Sequence, residues 1–362
     1  MIPSAFDVYR GRRVLVTGHT GFKGSWLTAW LHRLGAEVSG LALDPSTDPS
    51  LFVLARIGPD LRADMRIDLR DRARLAPAIE AMDPDFVFHL AAQPIVKTSY
   101  AEPLETFATN VMGTLHVLDA LRALRRPASR PLVVVVVTTD KVYANDESGM
   151  AFRESDPLGG HDPYSASKAC AEIATASFRA SFAAGASLRI ATARAGNVIG
   201  GGDWSAHRLF PDIVRALGVG APIALRNPRS TRPWQHVLEP LAGYLMLGAR
   251  LASEGWEPYA TAWNFGPRAS SVRDVQSVAE VAARAWGGGR VEVVEDPTKV
   301  PEAGTLALAI DRAEARLGWH PRWDLEESVH RTVTWYARVL AGSDARAELT
   351  AEIAAYEALL SR

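Results

Sequence analysis

Arg13-Val14-Leu15-Val16-Thr17 has strand character. It leads through Gly18-His19-Thr20-Gly21-Phe22-Lys23-Gly24 into a stretch whose apolar residues recur at helical spacing from Ser25 to Leu34. A strand, a glycine-rich turn and a helix in that order constrain the fold more than any other feature. Glycine lets the backbone turn sharply and approach a pyrophosphate, and the helix N-terminus supplies unpaired N–H groups and the positive end of the dipole. The spacing is G-x-x-G-x-x-G, and the lysine precedes the last glycine. This is therefore not the G-x-x-x-x-G-K-[ST] loop of a kinase or ATPase, and the chain is expected to open with a dinucleotide site.

The pattern continues as alternating strands and helices. Strands are predicted at 37–43, 86–90 and 132–137, and helices at 75–81 and 111–124. The strand at 132–137 contains five consecutive valines. Continuous apolarity marks a strand buried on both faces, as in a parallel sheet covered by helices on each side. The fold class is therefore α/β, a doubly wound parallel Rossmann sheet with a smaller C-terminal α/β substrate-binding region. Residues 1–195 are assigned to the first domain and 196–362 to the second, with the chain re-entering the first around 235–270. In the second half, Gly200 to Asp203 and Arg226 to Trp234 read as loops. Helices are expected at 238–251, 272–285 and 341–360, and a late strand at 263–265.

Asp44 lies 20 residues after Gly24, at the end of the second strand. A carboxylate there can accept both ribose hydroxyls and would repel a 2′-phosphate, which favours NAD over NADP. Asp68 is placed to meet the adenine amino group, and Ala91, Ala92 and Gln93 leave room at the end of the strand at 86–90. The expected cofactor set is Gly18, Thr20, Gly21, Phe22, Lys23, Gly24, Asp44, Asp68, Leu69, Leu90, Ala91, Ala92, Gln93, Asn110, Thr138, Tyr164 and Lys168. Pro163-Tyr164-Ser165-Ala166-Ser167-Lys168 puts Tyr164 and Lys168 on one helix face, where the ammonium is expected to lower the phenol's pKa and fit it to act as a base. Asn197, at a strand end, and Arg208 and Arg232, in loops, are candidates for the sugar–phosphate part of a substrate. His19, His89, His161 and His236 show no metal-ligand spacing, so no metal is expected, and Cys170 is expected to pack.

Thr17 to Gly24, His89-Leu90-Ala91-Ala92 and Tyr164 to Lys168 together resemble the extended short-chain dehydrogenase/reductases. Within that family Thr138-Thr139-Asp140-Lys141-Val142-Tyr143 resembles the nucleotide-sugar 4,6-dehydratases. The lysine after the aspartate, where the commoner dehydratases carry glutamate, resembles the CDP-glucose 4,6-dehydratases. So do Arg194 to Trp204 and Ser230 to Val237. The resemblance implies a hydro-lyase acting on CDP-D-glucose with bound NAD, in deoxysugar supply for a surface polysaccharide such as O-antigen or for a glycosylated metabolite. It implies catalytic roles for Thr139, Asp140 (acid), Lys141 (base), Tyr164 and Lys168. It implies substrate contacts from Gln93, Asn197, Arg208, Leu225 and Arg232. It also implies a homodimer or homotetramer. Another nucleotide-sugar dehydratase, a 4-epimerase and a non-catalytic nucleotide sensor are the alternatives.

A formal net charge of −1 over 362 residues leaves no global basic field for nucleic acid or an anionic membrane. One cysteine excludes an internal disulfide. The longest apolar run, Pro131 to Val137, is too short to span a bilayer. The N-terminal residues lack the apolar core of a secretory signal. A cytoplasmic location is expected.

Overall fold

The computed structural model describes residues 4–183, 187–206, 208–295 and 304–361. The first three residues of the N-terminal segment read for a secretory signal lie outside these. Seven parallel strands form the central sheet: β1 (Arg13–Thr17), β2 (Glu37–Ala42), β3 (Ala63–Arg66), β4 (Phe86–His89), β5 (Leu132–Val137), β6 (Leu188–Ala195) and β7 (Ala262–Phe265). Their order is β7-β6-β5-β4-β1-β2-β3, the doubly wound arrangement in which ligands gather beyond the carboxyl ends of the strands where the order reverses.

The valine run shows why this sheet is closed on both sides. All six residues of β5 are buried. Val133, Val135 and Val137 face one cluster, with Trp26, Trp30, Leu241 and Leu245. Leu132, Val134 and Val136 face the other, with Leu75, Ile79, Val117 and Leu121. Strand side chains alternate between faces, so every second residue of the run serves a different helix layer. A third, smaller core holds Phe210, Ile213, Leu225, Trp234, Val278 and Val329, all from the C-terminal half of the chain. The helix Leu238–Ala252 belongs to the first core, as do Leu349, Ile353 and Tyr356 of the last helix.

Several element boundaries differ from the sequence reading. The first helix starts at Phe22 rather than Ser25, because Gly24 lies in its first turn, where it is needed for close packing. A Cβ on Gly24 would stand 2.0 Å from the Gly18 carbonyl oxygen. The expected helix at 272–285 begins with a strand, Val272–Asp274, antiparallel to Thr231–Pro233 in the stretch read as a loop. Asp274 then caps the helix Val275–Trp286 by accepting from the Ser277 N–H at 2.9 Å. The tail holds two helices, Leu325–Leu340 and Ala345–Leu360. Gly342, at φ +100°, separates them. The first of the two escaped the sequence reading although Asp324 and Glu327 mark its start, with the Asp324 carboxylate accepting from the Glu327 N–H at 2.9 Å. The second docks on the first helix, where Glu357 accepts from Trp30 Nε1 at 3.0 Å and Arg33 Nε at 2.9 Å.

Candidate active site

The carboxyl ends of β1, β4, β5 and β6 open into a cavity of about 680 Å³ that reaches residues of the third core. One end is the glycine turn. Gly18 sits at φ +76°, and a Cβ there would meet the Ala91 backbone nitrogen at 2.7 Å. Gly21 caps the helix Phe22–Arg33 with no side-chain acceptor, leaving the helix entrance open to an anion. Gly18, Thr20, Gly21, Phe22, Lys23 and Gly24 all line the cavity, as do Asp44, Asp68, Leu69, Leu90, Ala91 and Ala92.

The turn has a buried polar backing that the sequence did not announce. His19 Nε2 pairs with Asp64 at 2.9 Å, and its ring occupies space that a Cβ on Gly40 would need, 2.4 Å away. Burial holds His19 below the ordinary histidine range, against the pull of Asp64. Lys23 donates to the Tyr244 hydroxyl at 3.0 Å. Burial, with Lys168 and Arg208 nearby, brings its ammonium down to about 7. Asp44 is largely exposed and pairs with Arg66 at 3.1 Å. Asp68 is gripped by Arg70 at 2.6 Å, and that contact lowers its pKa.

The middle of the cavity is the turn after β5. Thr138, Thr139, Asp140 and Lys141 line it opposite Tyr164 and Lys168. The helix Pro163–Phe182 starts where it does because Asp162 accepts from the Ser165 N–H at 2.9 Å and Pro163 needs no donor partner at the first position. Thr139 Oγ1 donates to Asp140 Oδ1 at 2.9 Å. It also hydrogen-bonds the Tyr164 phenol. Lys141 Nζ lies 3.9 Å from the same Asp140 oxygen. Asp140 is 1% exposed, and its Oδ2 is buried with no hydrogen-bond partner among the described residues. Gly196 gives that oxygen its place: a Cβ there would approach it to 2.9 Å. The cavity thus gathers a phenol, a carboxyl group, a hydroxyl and two amines, enough to move protons at neighbouring carbons of one substrate.

The expected lowering of the Tyr164 pKa by Lys168 is not what the structure shows. Burial pushes the phenol up to about 12, with Thr139 and Arg208 pulling the other way. Burial also brings the Lys168 ammonium down to about 8. Both groups lose water, and desolvation disfavours the charged form of each.

At the far end Asn197, Arg208, Leu225 and Arg232 line the wall, with Trp204 and Trp234, which were not singled out. Arg208 is held by Asp203 at 3.0 Å. Arg232 is 7% exposed and donates to the carbonyls of Thr231 and Gly304. Gln93 and Asn110 stand behind the wall. Gln93 Nε2 donates to Thr106 Oγ1 at 2.8 Å. Asn110 accepts from the Gln93 N–H at 2.8 Å and donates to Ser167 at 2.8 Å. Asn110 thus clamps the loop after β4 to the Tyr164 helix, from a π-helical turn at Ala108–Met112.

His89, His236 and His161 have structural partners. His89 bridges Thr17 at 2.7 Å and Thr114 at 3.0 Å, and burial takes it down to about 3. His236 accepts from the Leu238 N–H at 3.3 Å at the start of the helix Leu238–Ala252. His161 meets the Asn145 carbonyl at 3.0 Å. Cys170 is exposed rather than packed, because the buried face of its helix runs through Tyr164, Lys168, Ala171, Glu172 and Thr175.

The family model described as GDP-mannose 4,6 dehydratase matches residues 15–332. A CDP-glucose 4,6-dehydratase of Salmonella typhimurium is 44% identical over 343 residues, covering 93% of this chain and 94% of that one. Among solved structures, an epimerase of Methanothermobacter thermautotrophicus superposes with a TM-score of 0.79 at 24% identity, covering 95% and 98% of the two chains, a likeness of fold. The dTDP-glucose 4,6-dehydratase DesIV of Streptomyces venezuelae, solved with NAD bound, gives 0.76 at 25% identity, covering 90% and 97%.

Proposed function

The chain belongs to the GDP-mannose 4,6 dehydratase family, and from that premise we propose that it converts CDP-D-glucose to CDP-4-dehydro-6-deoxy-D-glucose and water, using bound NAD. The observation that carries this reading is the Thr139-Asp140-Lys141 turn facing Tyr164 and Lys168 across one cavity, in a chain 44% identical to a CDP-glucose 4,6-dehydratase.

The glycine cradle fits a pyrophosphate, since a Cβ at Gly18 or Gly24 would collide with backbone. Gly18, Thr20, Gly21, Phe22, Lys23 and Gly24 would hold the diphosphate. Asp44 would take the ribose hydroxyls, and Asp68 and Leu69 would flank the base. When bound, NAD supplies the hydride acceptor for C4 and the donor for C6. Tyr164 takes the O4 proton, with Thr139 holding the same oxygen. The 4-ketone acidifies C5–H. Lys141 removes that proton while Asp140 protonates the leaving C6 hydroxyl, and Lys141 later returns a proton to C5. This sequence leaves Tyr164 one proton richer and Asp140 one poorer. Thr139, bonded to both, is placed to pass the proton between them. Asn197, Arg208, Leu225 and Arg232 hold the nucleotide diphosphate, with Arg208 fixed by Asp203.

Substrate and chemistry are tested together with isotopes. CDP-glucose carrying deuterium at C4 is expected to give product with that deuterium at C6. Unlabelled substrate in D₂O should gain one deuterium at C5. Retention of the label at C4 with C6 still hydroxylated would mean epimerisation. Higher kcat/KM for a UDP-, dTDP- or GDP-sugar would overturn the base assignment and leave the chemistry standing.

Asp44→Ala is expected to lower NAD affinity ~10–100-fold, the worth of a hydrogen bond to a charged group at ~1.5–3 kcal/mol. It should also narrow the preference over NADP, because Arg66 would lose the carboxylate it now pairs with. Equilibrium titration of both cofactors measures this, and unchanged NAD affinity would remove Asp44 from the site.

The two-domain division at 195/196, with re-entry around 235–270, belongs to the same proposal, the second lobe closing on the nucleotide sugar. So does a homo-oligomeric state. Leu104, Met112, Ile173 and Phe182 are exposed apolar residues on neighbouring helical segments and form a candidate face. Among the described residues no helix is long and apolar enough to cross a membrane, in keeping with the proposed cytoplasmic location.

A further inference from the structure

Glu172 is a buried carboxylate that the chemistry above does not use. It lies on the helix Pro163–Phe182, one turn beyond Lys168, and is 3% exposed. A charge so deep is costly unless it is paired and hydrogen-bonded, and here three donors satisfy it, one of them on the wall of the site. Oε1 accepts from the Thr138 hydroxyl at 2.5 Å, and Thr138 immediately precedes Thr139-Asp140-Lys141. Oε2 accepts from Thr192 Oγ1 and from Arg194 Nη2, both at 2.8 Å. Arg194 continues to the Tyr143 hydroxyl at 2.9 Å, and Tyr143 donates to Asn264 Oδ1 at 2.6 Å. One connected set of bonds thus joins the helix, the turn after β5, β6 and β7.

Resting on the reading of Tyr164 and Lys168 as the catalytic pair, we propose that Glu172 is a positioning residue. It fastens the strand end that carries Thr139, Asp140 and Lys141 to the helix that carries Tyr164 and Lys168, and it is the counter-charge of the Lys168 ammonium. Among the other ionisable groups around Lys168, the Asp140 carboxyl already has Lys141 as its near cation at 3.9 Å, and the rest carry no negative charge. Lys23, from the helix Phe22–Arg33, is a second cation. His89, on β4, is held near 3 by burial and by Lys168 itself, so it is neutral. Tyr164 is a phenol pushed to about 12. The Lys168 ammonium donates to the Val137 carbonyl at 3.2 Å, an acceptor that carries no charge. Burial has already brought Lys168 down to about 8, and Glu172 is the group that opposes the fall. Arg194, on β6, is bonded to the carboxylate, and Arg179, on the same helix, lies within reach of its charge.

Removing the negative charge lets the Lys168 pKa fall further, so the protonated form is lost at lower pH. Glu172→Gln keeps the shape and one acceptor while deleting the charge. Two readouts are needed. One is lysine-selective ¹⁵N NMR of the full chain without cofactor or substrate, with the Lys168 resonance assigned by its loss in Lys168→Met. The other is the pH profile of C4 oxidation in the loaded protein. In Glu172→Gln the resonance and the alkaline limb should both move down by about one pH unit, the lower end of the effect of a neighbouring opposite charge. Glu172→Asp, which keeps the charge, should restore both. Thr192→Val, which removes one bond to the same carboxylate and leaves the charge, should lose stability and shift neither.

A folded Glu172→Gln with resonance and limb unmoved overturns the proposal, as does an equal shift in Thr192→Val. Should Glu172→Gln fail to fold, Arg179→Gln removes a competing cation and should move the Lys168 resonance upward; no movement there overturns the proposal too. Because the resonance is read without substrate, a failure of this assignment is distinguishable from a failure of the catalytic reading, which would appear as absent turnover with the resonance still shifting.

Discussion

Asp140→Asn is expected to oxidise C4 and then stop. The reduced cofactor should accumulate to the level of the enzyme on mixing with CDP-glucose, visible as its near-ultraviolet absorbance, while product formation falls ~10²–10⁴-fold, the usual contribution of a general acid or base. The substitution is close to isosteric. The asparagine oxygen can still accept from the Thr139 hydroxyl, as Asp140 Oδ1 does at 2.9 Å, but the amide cannot deliver the proton that the departing C6 hydroxyl needs. Oxidation should not be slowed. The O4 proton goes to Tyr164, whose phenol the substitution leaves in place, and the asparagine keeps the acceptor for Thr139. The expected signature is therefore a separation of two steps that the native chain couples. Dehydration within a few-fold of the native rate would remove Asp140 from the acid role, and a loss of oxidation as large as the loss of dehydration would point to a collapsed site. Thermal unfolding of the variant distinguishes the latter case.

The sheet was legible because its determinants are local. Leu132 to Val137 are apolar at every position, with no alternation, and that alone implies helices on both faces. The glycine turn was legible for the same reason, since Gly18 and Gly24 sit where no Cβ fits. What escaped the sequence depends on residues far apart in the chain. Gln93 reads as a wall residue at a strand end, yet Thr106 and Asn110, brought in by the following helical turns, bind its amide and backbone behind the wall. The tyrosine–lysine spacing predicts a lowered phenol pKa only while desolvation is left out of account, and the burial that reverses the sign comes from the folded chain around the ring. Glu172 carried no signal beyond its helical register with Lys168. Its partners Thr138, Thr192 and Arg194 lie on or beside two strands, and only the parallel pairing of β5 with β6 sets them side by side.

Tyr164→Phe separates the same two steps from the other side. The variant should show no reduced cofactor on mixing with CDP-glucose, and turnover should fall ~10²–10⁴-fold, because the first proton transfer is lost and nothing downstream can begin. The ring is 9% exposed and packed, so deleting the hydroxyl removes one buried polar atom and its bond with Thr139 without opening a cavity at the ring. Stability should change by no more than the net worth of one hydrogen bond, ~0.5–1.5 kcal/mol, and NAD affinity should be nearly unchanged. The pH dependence then assigns the group. In the unliganded chain burial holds the phenol at about 12 and Lys168 at about 8. A base with a raised pKa is mostly protonated at neutral pH, so the oxidation rate should rise with pH as the phenolate fraction grows and bend downward where Lys168 loses its charge. Tyr164→Phe should abolish the rising limb and leave only the residual, pH-flat rate. A rising limb that persists in Tyr164→Phe would mean that another group lining the same cavity, such as Lys141, takes the O4 proton.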